Sequence, residues 1–259
     1  YPVLRLHRED WRITLMDVKR HLARGIPLGL QFSVLAIGII VMQGAVVRFD
    51  IAENGIMVPG TPAQNGFSAA NKLINFLMAL YNGLASAILG FNAQNYGKSD
   101  YRRIRQGTRQ SLIIMLIMYA FCLTAGLLLS IGGAYQHIFM SEDKISEASV
   151  RFGNTYLYVD FILYFILGFL IVTRSAVQGI TKVGYVLGAG VAELVSRVLI
   201  CAYLPALVNG GATDASASLA SFAAVCFGDP GAWLLASLVL LVPTVKYIFR
   251  MQYKKEVSG

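Results

Sequence analysis

"SLIIMLIMYAFCLTAGLLLSIGG", residues Ser111–Gly133, decides the fold. Its side chains do not alternate between apolar and polar, as the strands of a membrane barrel must over about ten positions. Leu112–Gly132 is long enough to cross a bilayer core, which takes about 20 apolar residues. Peptide groups in hydrocarbon must bond within their own segment, so such a run reads as a transmembrane helix. Just before it, "QNYGKSDYRRIRQG" (Gln94–Gly107) carries Lys98, Arg102, Arg103 and Arg105, and Arg109 follows. A nucleic-acid site would account for this charge but not for the apolar flanks. It also lacks an aromatic platform or a recognised binding motif.

Five further segments resemble the first: Gly25–Val47, Phe67–Asn92, Val150–Val172, Val183–Val208 and Ala232–Phe249. "GGATDASASLASFAAVCFGDP", before the last, reads as an external loop containing some helix or as a short re-entrant helix, with the loop favoured. Composition agrees with an all-α polytopic membrane protein of six transmembrane helices. Only 14% of the 259 residues are charged, against roughly 25% in soluble domains. Cys122, Cys201 and Cys226 lie in apolar surroundings without metal-ligand spacing, and read as small core residues.

Charge predicts the orientation, since cytoplasmic loops are enriched in Lys and Arg. Tyr1–Arg24, Gly97–Ser111, Thr173–Lys182 and Lys246–Gly259 hold six, five, two and four of the 22 basic residues. The loops on the other side hold only Arg48, Lys144 and Arg151, with Asp50, Glu53, Glu142, Asp143, Glu147, Asp214 and Asp229. Both termini are therefore expected on the cytoplasmic side, with the Arg102–Arg109 turn against anionic headgroups.

Charged residues inside a bilayer cost about 2.5–3.5 kcal/mol each on insertion scales and mark functional positions. Four stand out: Lys72, Asp160, Glu193 and Arg197. Asp160 lies about 15 Å into its span at 1.5 Å per residue, Arg197 at similar depth and Lys72 shallower. All four are expected to share one cavity, with Lys72 the expected partner of Asp160. Glu193 and Arg197 form an i,i+4 pair in the favourable order. That pair reads as a structural ion pair or as a protonatable site. Asn71, Asn75 and Asn82 share one helical face and, with Gln43, are candidates to line a wet substrate cavity. Gly184 and Gly188 form a GxxxG pair suited to close helix packing. "GAGVAE" (Gly188–Glu193) lacks the preceding strand that a dinucleotide fingerprint needs. The three histidines have no metal spacing. The absence of a P-loop, G-x-S-x-G or paired-carboxylate motif argues against an enzyme.

Several stretches carry a family resemblance. "GIPLGLQFSVLAIG" (Gly25–Gly38) resembles the opening of the seventh helix of the multidrug and toxic compound extrusion family. "FNAQNYGKSDYRRIRQG" (Phe91–Gly107) is similar to that family's exit from helix eight, and "RSAVQGITK" (Arg174–Lys182) to its turn between helices ten and eleven. "AELVSR" (Ala192–Arg197) resembles a Glu-x-x-x-Arg pair in helix eleven, and "DPGAWLLAS" (Asp229–Ser237) the start of helix twelve. Gln43 stands where some members carry an acid.

The resemblance implies a cation-coupled exporter of organic, often cationic compounds, working by alternating access in a bacterial inner membrane. This chain would be the C-terminal lobe: residues 1–24 the inter-lobe segment, 25–249 the six-helix lobe and 250–259 a cytoplasmic tail. Its partners would be membrane lipid, small organic cations and an N-terminal lobe missing here, with no nucleic acid. It would need no cofactor beyond a coupling H+ or Na+. Asp160, Glu193, Arg197 and Lys72 are the ion-coupling candidates. Gln43, Asn71, Asn75 and Asn82 are the cavity candidates. The alternatives are a lipid-linked oligosaccharide flippase of the same superfamily, expected to have a more basic groove, and a transport-inactive membrane scaffold.

Overall fold

The computed structural model describes residues 13–250. Half of the proposed inter-lobe segment, residues 1–12, and all but the first residue of the tail lie outside them. Helix α1 (Leu15–Val47) begins well before the apolar run. Thr14 starts it through a capping box: the Asp17 amide donates to the Thr14 hydroxyl at 3.2 Å, and the Thr14 amide to the Asp17 carboxylate at 3.1 Å. Such caps satisfy amides that a helix leaves free at its start.

Helices α2 (Pro62–Gly97), α3 (Tyr101–Ser130), α4 (Ala134–Phe139), α5 (Glu147–Gly179), α6 (Val183–Asn209), α7 (Leu219–Cys226) and α8 (Gly228–Pro243) follow. Six helical stretches are long and apolar enough to cross a membrane: Leu15–Asp50, Pro62–Gly97, Tyr101–Phe139, Glu147–Gly179, Val183–Asn209 and Leu219–Phe249. Among the described residues the β pairing is limited to one isolated bridge, Ile51–Met57. The all-α reading therefore holds. The last span starts at Leu219 rather than Ala232, because α7 runs into α8 through Phe227, which keeps helical backbone angles. Pro230 sits just past this junction, and its missing amide hydrogen leaves the Cys226 carbonyl without an i→i−4 bond there.

Two loop acids are structural. Asp50 is buried and caps α2 from outside the helix, accepting from the amides of Ala63 and Gln64 at 2.8 Å each. Thr61, with φ +38°, makes no side-chain cap of its own. Asp100 caps α3 by accepting from the Arg103 amide at 3.0 Å.

Helix α5 is the central post, packed along α2, α3 and α8, while α6 packs on α1 and α8. By contrast α1 scarcely meets α2. A close α2–α5 approach runs over two glycines: a Cβ on Gly66 would lie 2.8 Å from the Gly153 nitrogen. Beside it, Phe67 and Tyr156 stack with centroids 4.6 Å apart. Gly184 and Gly188 do not serve this purpose, since nothing lies within 4 Å of a Cβ at either. They face outward on α6 because its packed side carries Gly190, against Gln31 of α1.

The outside of the bundle is apolar. Ile113, Leu116, Ile117, Phe121 and Leu128 on α3 are each more than half exposed. Water would penalise that surface, whereas lipid would not.

Candidate functional site

Where α1 parts from α2, a cavity of about 390 Å³ opens between α1, α2, α5, α6 and α8. Helical phase aims each element's contribution inward. Leu35, Ile39, Met42 and Gln43 come from α1, and Phe67, Asn71, Ile74, Asn75 and Met78 from α2. Helix α5 supplies Tyr156, Asp160, Leu167, Ile171 and Arg174, at spacings that repeat on one helical face. Helix α6 adds Glu193 and Arg197, and α8 adds Asp229 and Trp233.

An ionic chain crosses the cavity wall. Arg174 Nη2 lies 2.5 Å from Glu193 Oε2. Arg197 Nη2 lies 3.8 Å from Glu193 Oε1 and 2.5 Å from Asp229 Oδ1. The Tyr156 hydroxyl then donates to Asp229 Oδ2 at 2.8 Å. Three helices, α5, α6 and α8, are thus joined by two guanidinium and two carboxylate groups whose charges cancel. Arg197 is 4% exposed, and a buried charge needs such partners.

Backbone makes room for Arg197. A Cβ on Gly38 of α1 would come 2.6 Å from its Nη1, and one on Gly228 of α8 would come 3.7 Å from its Cγ. Gly38 therefore leaves room for the guanidinium, while Gly228 borders only the stem of the side chain, and a Cβ there would lie closer to Cys201 Sγ, at 2.8 Å.

Asp160 is the odd charge. It is fully buried on the cavity wall, and among the described residues neither carboxylate oxygen has a hydrogen-bond partner. The neighbouring Tyr156 hydroxyl is spent on Asp229. A carboxylate in this position demands a counter-charge, a proton or water.

Six of the eight predicted site residues line the cavity: Asp160, Glu193, Arg197, Gln43, Asn71 and Asn75. Lys72 does not. It is exposed on another face of α2 and donates to the Phe139 carbonyl at 3.1 Å, capping the end of α4. It is not the partner of Asp160, because one residue beyond Asn71 turns the side chain by about 100° on a helix. Asn82 is exposed and lies beyond the cavity. The polar stripe shares a helical face, but the cavity ends at Met78. Asn75 donates to the Asn71 side-chain oxygen at 2.5 Å, so these two act as one polar element.

Arg174, Asp229, Tyr156 and Trp233 complete the site and were not among the predicted residues. Counting loop charge assigned Arg174 to a turn and Asp229 to a loop, since each lies just beyond an apolar run. Both stand in the quoted motifs, and Arg174 keeps the helical phase of Asp160. Those signals were available.

A family model, MatE, matches residues 57–203, more than half of the chain. The chain belongs to the MatE family. The matched stretch runs from the loop before α2 into α6 and includes Asp160, Arg174, Glu193 and Arg197. Neither a curated protein nor a solved structure matches the chain. MatE proteins are membrane transporters rather than enzymes, and with its six spanning helices the chain is a multi-pass member of that superfamily.

Proposed function

We propose that this MatE bundle is the C-terminal lobe of a cation-coupled exporter of organic, often cationic compounds. It would work with a second lobe in a bacterial inner membrane, with the basic loops and both termini on the cytoplasmic side. The carrying observation is Asp160, buried on the cavity wall with no hydrogen-bond partner among the described residues, beside an ionic chain whose charges already cancel. When Asp160 is ionised the site has an excess charge of about minus one. A proton, a sodium ion or a cationic substrate neutralises it, and no two are needed at once. Such exclusive occupancy is what antiport requires, provided ion and substrate favour different conformations. Gln43, Asn71 and Asn75 offer the polar face of the cavity, and Ile39, Met42, Met78 and Trp233 the apolar face. Together they suit an amphipathic cation.

The flippase alternative needs free positive charge for a pyrophosphate. Both arginines of the cavity are paired with carboxylates, and Lys72 lies outside it.

Ethidium accumulation in cells making this lobe together with an N-terminal lobe tests the reading. Asp160→Asn should abolish ion-dependent efflux, while the intact pair keeps dye low. Full efflux by Asp160→Asn, or equal dye retention with and without the intact pair, would overturn it.

A further inference from the structure

The end of the bundle that carries the Lys98–Arg109 turn has its own recognition chemistry, separate from the cavity. After Pro243 the last span widens into a π-helical turn, Thr244–Phe249, in which the Arg250 amide donates to the Val245 carbonyl at 2.8 Å. This turn gathers cations from three elements. The Tyr247 ring holds the Lys182 ammonium 4.8 Å from its centre and the Lys246 ammonium at 5.2 Å. The Tyr185 ring lies 6.0 Å away, tilted by 55°. Two residues on, Phe249 holds the Arg109 guanidinium of α3 at 5.7 Å.

Among the described residues no carboxylate pairs with Lys182, Lys246 or Arg109, because all three ion pairs belong to the cavity. A single ring gathers two like charges at low cost only if an anion sits between them or water screens them. The location decides between these. Lys182 lies at the junction of α5 and α6, and Lys246 near the end of the last span, ends at which spanning helices would leave the hydrocarbon for the headgroup layer. Tyrosine prefers that layer, with its ring in the apolar part and its hydroxyl at the polar edge.

We infer that Lys182, Lys246, Tyr185 and Tyr247 form a binding site for the phosphate of an anionic phospholipid headgroup, with Arg109 at its rim. A phosphate between the two ammonium groups accepts charge-assisted hydrogen bonds from both. The acyl chains then lie along the exposed apolar residues of α6 and α8. The bound lipid ties the α5–α6 turn to the π-helical turn after α8.

The test uses the whole chain in nanodiscs of equal parts phosphatidylglycerol and phosphatidylcholine. The lipid kept on transfer to detergent is counted by native mass spectrometry. Wild type should retain phosphatidylglycerol in preference. The double variant Lys182→Gln/Lys246→Gln should lose about tenfold or more of that preference, each ammonium near an anionic headgroup being worth roughly fivefold. Tyr247→Leu, which keeps every charge, should lose it too and carries the test if the double variant fails to fold. Arg102→Gln, an exposed cation of the neighbouring turn, should lose little. Equal retention of both lipids would overturn the site. So would an equal loss in Arg102→Gln, or release of the lipid by excess inorganic phosphate.

Discussion

Arg197 shows how a membrane interior tolerates a cation. Its guanidinium holds Glu193 and Asp229, and Gly38 of α1 gives it space. Removing one partner of a buried pair typically costs about 3–5 kcal/mol, because the other charge is stranded. Arg197→Ala should therefore lower thermal stability in detergent far more than Lys72→Met. Lys72→Met should leave efflux nearly unchanged, since its side chain serves only the end of α4. Gly38→Ala places a methyl group against the guanidinium. In a double-mutant cycle with Asp229→Asn, melting curves should show a coupling of about 0.5 kcal/mol or more. Strict additivity would mean that the methyl is absorbed elsewhere.

Helix boundaries are set by side chains borrowed from loops, and this governs where cavity residues point. Asp50 grips the first amides of α2, nine residues before Asn71 is reached from Pro62 along the same helix. Asp50→Ala should cost about 1–2 kcal/mol, the usual worth of a lost N-cap. Hydrogen exchange should quicken in the first turn of α2 and not in α6. Equal exchange across both helices would show a global loss instead of a fraying cap. Apolar run lengths revealed the existence and order of the spanning helices. Their ends were less legible, because caps, the Phe227 junction and the π-helical turn depend on single residues at positions that hydropathy does not mark. The same blindness hid Arg174 and Asp229, which lie past the apolar runs yet inside the bundle.

At the scale of the molecule, six antiparallel spans put the basic turns at one end and the acidic loops at the other. The three native cysteines are buried and should resist labelling. In that background Arg102→Cys should react with a membrane-impermeant maleimide only after permeabilisation, and Glu142→Cys should react in intact cells. Equal labelling of both from outside would overturn the orientation.

Composition and periodicity alone determined that this chain is a set of membrane-spanning helices, since hydrophobic burial depends on residue type summed over long stretches. The quoted motifs carried the family, and helical spacing brought Asn71 to Asn75 and Glu193 to Arg197, because such neighbours share one helix. Tertiary structure alone decided which groups meet across helices. It paired Arg174 with Glu193 and Arg197 with Asp229, removed Lys72 to the end of α4, and left Asp160 without a hydrogen-bond partner among the described residues. Those contacts depend on the rotation and separation of whole helices, and a shift of one residue turns a side chain by about 100°. Linear spacing does not encode that rotation between helices distant in the chain.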